Sequence, residues 1–247
     1  MSVRLYFFHN FVTFVKEKSR HVLDQQNAEF LQAVLDTSKD RLAELAKGDI
    51  LWRSQIAHEE DEKETGPNSR VHFQRPAPNT RMMPLRARAK EGRANSKGIP
   101  VLYCATTQDT AIAEVRPWIG ARITLAKLSL HRAVRLVDCS INLKRLTLSD
   151  IRTQEDAVHD LWTRINDAFS EPVTANDNTA DYAPTQFLAD AFRQQGYDGI
   201  IYQSRVGNGR NVALFALDAA EIVDLELHVV QGMTIKSQIM HWYEQYW

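Results

Sequence analysis

In LYCATTQDTAIAEVRPW, residues 102–118, a single carboxylate, Glu114, interrupts a segment of Ala, Ile and Val built for burial. Val101, Tyr103 and Ala105 alternate as in a half-buried strand, Thr106 or Thr107 can cap a helix, and Pro117 stops it. On the helical wheel Ala111, Ile112 and Val115 form one stripe, and Glu114 falls at its edge. A carboxylate there is neither plainly solvated nor plainly core. Three more side chains have types suited to chemistry: Arg53 in or at the end of a strand, Tyr103 in a strand, and Ser204 just after the apolar run GIIY. Each also has an ordinary explanation: an edge charge, core packing, an ion pair with Arg116, a turn hydroxyl.

Familiar catalytic patterns are missing. The eight histidines form no HExxH and no spaced His/Cys cluster, so no metal is expected. GxSxG, the P-loop and a GxGxxG after a strand are also absent. Arg–His pairs at Arg4/His9 and Arg152/His159 have a spacing used by some helical ribonucleases, but chance explains them better in so arginine-rich a chain.

The 247 residues, with 44% hydrophobic and 25% charged content, suit a soluble globular protein able to bury a full core. The formal net charge is −1 and the basic residues are scattered, so no direct nucleic-acid partner is expected. Cys104 and Cys139 fall in predicted strands as free, apolar-like residues, consistent with a cytoplasmic location. The start MSVRLYFFHNFVTFVKEK makes a poor signal peptide and is too short to span a bilayer, so no membrane role is assigned.

Residues 1–48 read as a helical N-terminal extension, with a helix running to a cap at Gly48. A catalytic domain over 49–230 follows, and an amphipathic helical tail over 231–247 carries Met240, Trp242 and Trp247. Within the domain ILWRSQIA reads as a strand, and Glu59 to Lys97 as a long polar loop. ARITLAKLSL and AVRLVDCS read as strands, 149–170 as helical, and SEPVTANDNTADYAP as a second loop. Pro184 opens a helix that Gly196 closes; DGIIYQS, the turn RVGNGRN and VALFAL complete the order.

Three blocks, WRSQIA, GRANSKGIPVLYCATTQDTAIAEVRPWIG and YAPTQFLADAFRQQGYDGIIYQSRVGNGRNVALF, resemble in order and length the RES domain family, over about Leu51 to Leu217. The resemblance implies an α+β fold, a compact mixed α/β domain like that of ADP-ribosyltransferases around an NAD cleft. It also implies NAD+ as substrate and a partner antitoxin of the Xre helix-turn-helix type. Carried over by motif, the functional positions are Arg53, Tyr103, Glu114 and Ser204, with Arg93 and Asn211 from the flanking blocks.

For that reaction the residue types have physical reasons. Breaking the nicotinamide–ribose bond builds positive charge on the ribose, and Glu114 can stabilise it. The planar fork of Arg53, supported by Arg93, suits the pyrophosphate. Tyr103 can stack on nicotinamide, Ser204 can bond ribose or phosphate, and Asn211 can tie the Gly207-Asn208-Gly209 turn in place. The expected activity is a toxin's glycohydrolysis or phosphorolysis of NAD+. Protein ADP-ribosylation at the same site, or non-catalytic binding of a nucleotide or partner, are the alternatives, and a homodimer is the default assembly.

Overall fold

The structure, a computed structural model, describes residues 6–66, 69–85, 88–147, 150–171, 179–234, 237 and 239. Two helices come first, α1 (Tyr6–Glu17) and α2 (Gln25–Ser38), followed by strands β1 (Leu42–Leu45) and β2 (Ile50–Gln55). A hairpin of β3 (His58–Gly66) and β4 (Ser69–Pro76) and the short α3 (Asn79–Met82) lead to β5 (Leu102–Ala105) and α4 (Gln108–Glu114). Then come β6 (Arg122–Leu130), β7 (Val134–Asp138), α5 (Gln154–Ser170), α6 (Ala183–Gln194), β8 (Gly199–Gln203), β9 (Arg210–Leu214) and β10 (Ala220–Val229).

Eight strands make one mixed sheet in the order β1-β7-β8-β9-β5-β2-β6-β10, and β3-β4 form a separate ribbon. Among the described strands only β7 and β8 run parallel; their connection carries α5 and α6, as a parallel pair requires. The two-residue period of a strand sorts neighbours onto opposite faces. Val137, Ile200 and Ala213 join a core with Phe11, Phe30, Trp162 and Phe192 beneath α1, α2, α5 and α6. Leu136, Ile201, Val212 and Leu214 join Leu51, Leu102 and Leu128 on the other side. DGIIYQS is thus a strand buried on both faces, in keeping with its unbroken apolar run.

The front helices are bound into this core. Phe11 and Phe30 are fully buried, with rings 4.9 Å apart, and Phe11 meets Phe187 of α6 edge-on at 5.7 Å. Trp162 of α5 donates its indole N–H to Thr37 Oγ1 (3.1 Å), and the Arg41 guanidinium lies 4.6 Å from its ring.

Several sequence expectations are corrected. The helix expected to reach Gly48 stops at Ser38, because Leu42 to Leu45 pair with β7 (Leu42↔Val137, Leu45↔Val134). Gly48, at φ 92°, instead turns the chain into β2. The long loop expected over 59–97 contains the β3–β4 hairpin and α3. Its strands have no buried face to betray them; cross-strand ion pairs such as Arg75 with Glu59 (2.8 Å) and Arg70 with Glu62 (3.4 Å) link them. β10, which the sequence reading did not anticipate, pairs along β6 through a bulge between Ile222 and Asp224 that breaks its alternation. Helix α5 begins at Gln154 behind a capping box of Thr153 and Asp156. Cys139 lies just beyond β7, and both cysteines are free and buried. Of the helical tail expected over 231–247, residues 231–234 are described and form no helix, while the rest, with Met240, Trp242 and Trp247, lies largely outside the described residues, as does Arg4. Among the described residues, no helix is long and apolar enough to cross a membrane.

Candidate active site

Glu114 is the last residue of α4, a helix whose Ala111 packs with Trp52 of β2, Ala105 of β5 and Leu125 of β6. Thr107 caps its start by accepting from Thr110 N. At its end Arg116 adopts φ 46°, turning the chain away after Glu114. The C-terminal end of a helix is a poor place for an anion. Two side chains offset this: Ser204 Oγ donates to Glu114 Oε1 at 2.7 Å, and Asn211 Nδ2 donates to the same oxygen at 2.6 Å. Oε2 has no protein donor among the described residues, and the side chain is exposed to the cleft.

Ser204 and Asn211 are held by the turn between β8 and β9. Ser204 Oγ accepts from Val206 N (3.2 Å) and Gly207 N (3.0 Å), closing a hydroxyl-capped turn. With its proton given to Glu114, the hydroxyl serves as a strut. The turn presses on the start of α4. Gly209 N donates to Thr110 Oγ1 (2.9 Å) and Arg210 N to Thr106 Oγ1 (3.0 Å). A Cβ on Gly207 would stand 2.6 Å from Thr110 Oγ1 and 2.8 Å from its Cα; one on Gly209 would stand within 3.0 Å of three threonine hydroxyls. Only glycine permits this approach. The fully buried Thr110 therefore links the first turn of α4 to the loop that grips its last residue. Behind it Arg210 Nη1 donates to the buried Asp138 Oδ2 at 2.8 Å.

Tyr103 is fixed by the GRAN turn. Its hydroxyl accepts from Ala94 N (2.9 Å) and donates to Asn95 Oδ1 (2.7 Å). Asn95, itself buried, sends its amide to the carbonyls of Lys90, Ser96 and Ile99, and Gln186 Nε2 bonds the carbonyls of Gly92 and Asn95. A Cβ at Gly92 would lie 2.6 Å from the Tyr103 oxygen. Burial raises the Tyr103 pKa despite the Ala94 hydrogen bond, and burial does the same to Tyr202. Both rings face the site as neutral phenols.

Arg53, on β2, donates through Nη1 to the Tyr103 carbonyl at 2.9 Å. Its Nε is buried without a partner, and no carboxylate of the described residues pairs with it. Burial lowers its basicity, a sign of a cation lacking a counter-charge, while the neighbouring Cys104 and Tyr103 act in the opposite sense. Glu114, Asn211, Tyr103, Tyr202, Trp52 and Arg53 together line a cleft of about 310 Å³. Arg53 and Tyr103 also line a second cleft of about 760 Å³.

Of the six positions expected from sequence, Arg53, Tyr103, Glu114, Ser204 and Asn211 are brought together; Arg93 is not. Its guanidinium bonds the Ala168 carbonyl (3.0 Å) and the Glu171 carbonyl at the end of α5, and lies 5.2 Å from the Tyr182 ring. Asn211 holds Glu114, not the glycine turn, which Thr106 and Thr110 hold instead. Asn95, Thr110, Trp52 and Tyr202 were missed. Asn95 alone left a trace, as a turn-forming amide between Gly92 and Gly98. No cluster of His, Cys, Asp or Glu suited to a metal occurs among the described residues. His9 faces a different cavity of about 540 Å³, between α1, α5 and α6.

A carboxylate braced through one oxygen, two neutral phenols and a half-buried arginine with no paired carboxylate among the described residues line one cleft on a mixed α/β sheet, a set of groups able to bond hydroxyls and to oppose negative charge. The RES domain family matches residues 69–235, more than half of the chain, and this protein belongs to it. The matched segment includes Tyr103, Glu114, Ser204 and Asn211 and begins after Arg53. Among solved structures, the chain is similar to one from the crystal structure of the M. tuberculosis MbcT–MbcA toxin–antitoxin complex, with TM-score 0.40, 13% identity, and coverage of 80% of this chain and 90% of that one. Among proteins of curated function, none matches the chain in sequence.

Proposed function

We propose that this RES-domain protein is a cytoplasmic toxin that consumes NAD+ by cleaving the nicotinamide–ribose bond, with an Xre-type helix-turn-helix antitoxin as its partner. The observation that carries the reading is the convergence of Ser204 and Asn211 on one oxygen of Glu114. That arrangement fixes the carboxylate and leaves Oε2 for ribose hydroxyls. As the glycosidic bond lengthens, positive charge grows on the ribose, and a pre-oriented anion stabilises it more than it stabilises the ground state. Asn211 and Ser204 hold the carboxylate against rotation, so little reorganisation is needed during reaction. Tyr103 and Tyr202 offer faces for the nicotinamide ring, and their raised pKa keeps them uncharged beside it. Arg53, half-buried and with no counter-ion among the described residues, gains one when the substrate's pyrophosphate arrives.

The acceptor is water or phosphate in this reading. The test follows NAD+ with the purified chain, with and without phosphate, against Glu114→Gln, which keeps the shape and removes the charge. Loss of about 100- to 1,000-fold in rate is expected, as for other groups that stabilise transition-state charge. A phosphate requirement identifies phosphorolysis. NAD+ that survives the wild-type protein overturns the reading, and label from NAD+ appearing on added protein would point to ADP-ribosylation at the same site.

A further inference from the structure

The last turn of α5 grips β8 at the point where the sheet lets that strand go. β8 lies between β7 and β9, but β7 ends at Asp138, and just beyond it Cys139 N donates to the Ile201 carbonyl (2.9 Å). Residues two apart in a strand turn their peptide groups to the same side, so Gln203 presents its N–H and C=O where β7 has already left. Both are taken by side chains of α5. Asn166 Oδ1 accepts from Gln203 N at 2.9 Å, and Ser170 Oγ donates to the Gln203 carbonyl at 2.7 Å. Four residues apart, the pair shares one face of the helix. Asn166 is 1% exposed and sits inside a helix, where asparagine is disfavoured and a buried amide is costly unless bonded. On the far side of Ser204, Arg205 Nη2 donates to Asp167 Oδ1 at 2.7 Å. Ser204 is thus tied to α5 through both chain neighbours, which leaves its hydroxyl for Glu114 and for the N–H groups of the turn.

We infer that Asn166 and Ser170 are positioning residues for the site: they stand in for the absent strand, set the height of Ser204 and, through it, the direction of the Glu114 carboxylate. The inference rests on the reading of Glu114 as the group that meets the ribose. Neither residue lines the cleft of Glu114, so their effect falls on the rate of the chemical step and not on contact with substrate. A displacement on the order of 1 Å at a reacting group can cost about 100-fold in rate. Asn166→Ala should therefore lower kcat for NAD+ about 10- to 100-fold and Ser170→Ala about 3- to 10-fold, with KM moving less than about threefold.

The test is a double-mutant cycle with Ser204→Ala, read by steady-state NAD+ consumption. Asn166→Ala added to Ser204→Ala should cost less than about twofold more, because its path to Glu114 is already cut. Equal losses in both backgrounds would give Asn166 a merely structural role and overturn the inference. Thr163→Val controls for general damage to α5: it loses buried bonds to the Lys144 backbone and should lower Tm while kcat stays within about twofold. Amide hydrogen exchange reads the same positioning without substrate. Exchange at Gln203, Val206 and Gly207 should quicken about 3- to 10-fold in Asn166→Ala and not in Thr163→Val, and unchanged exchange at those amides overturns the inference. Ser170→Ala, at the last position of α5, loses a single bond and carries both measurements should Asn166→Ala fail to fold. If wild type leaves NAD+ intact while exchange still quickens, the brace from α5 to Ser204 stands and the catalytic reading of Glu114 falls.

Discussion

Gly207→Ala, a change of one methyl group about a turn's width from Glu114, should disable the site. The added Cβ would lie 2.6 Å from Thr110 Oγ1, 2.8 Å from its Cα and 2.9 Å from its Cβ. Two of these atoms cannot rotate away, since Thr110 is fully buried in a helix packed on β2. Overpacking of this kind costs about 1–3 kcal/mol. At about 2–4 °C per kcal/mol for a chain of this size, Tm should fall by roughly 2–12 °C. The strain relaxes most easily by lifting the turn, which parts Gly209 N from Thr110 and draws Ser204 off Glu114. A hydrogen bond to a charged group is worth about 1.5–3 kcal/mol, and exposure of this pair favours the lower figure. The corresponding loss in kcat/KM is about 10-fold or somewhat more. NAD+ consumption and thermal unfolding are measured together, with Asn208→Ala, exposed between the two glycines, as a control that should stay within about twofold. Gly207→Ala with wild-type rate and Tm would refute the argument that the Thr110 contact positions Glu114.

Thr110→Val keeps the volume but leaves Gly209 N–H and the Thr107 hydroxyl without their shared acceptor; kcat should drop about 10-fold, with Thr110→Ser restoring it, as steady-state kinetics will show. Arg93→Ala should lower stability by about 1–2 kcal/mol through loss of its bonds to the end of α5, while KM for NAD+ moves less than about twofold; a large KM change would return Arg93 to the substrate site. Burial pushes the Cys104 thiol from its ordinary 9 up to about 12, so its contribution to stability is whole below pH 9 and is lost as pH rises toward 12. The buried phenols of Tyr103 and Tyr202 act in the same direction above their ordinary value of 10. Urea unfolding should therefore show stability falling from about pH 9 upward, with a shallower slope in Cys104→Ala; a flat profile would contradict it.

Glu114 was legible because a carboxylate beside an apolar stripe breaks the local pattern, and Tyr103, Ser204 and Arg53 followed from the motif blocks around it. What each of them bonds was not. That Asn211 reaches Glu114 depends on β9 pairing with β5 in the register Ala105↔Asn211, a long-range fact that no local period encodes. Thr110 reads as a helix residue until the glycine turn is packed on it. The β3–β4 ribbon escaped because its strands, HEEDEKETG and SRVHFQRP, bury no face, and alternation is the signal by which a strand is read. β1 escaped for the opposite reason: LAEL continues a good helical stripe, and only the free edge of β7 makes it a strand. Arg93 sits in a matched motif, which records that it matters and not what it touches.

Strand β9 enters the sheet between β8 and β5, near its middle, although it follows eight of the other strands in sequence. Without β9, Glu114 lacks its Asn211 donor, and the two halves of the sheet have no strand to join them. The braced carboxylate is thus a property of a chain that extends through β9. A fragment that ends before β9 carries the carboxylate but not its full brace.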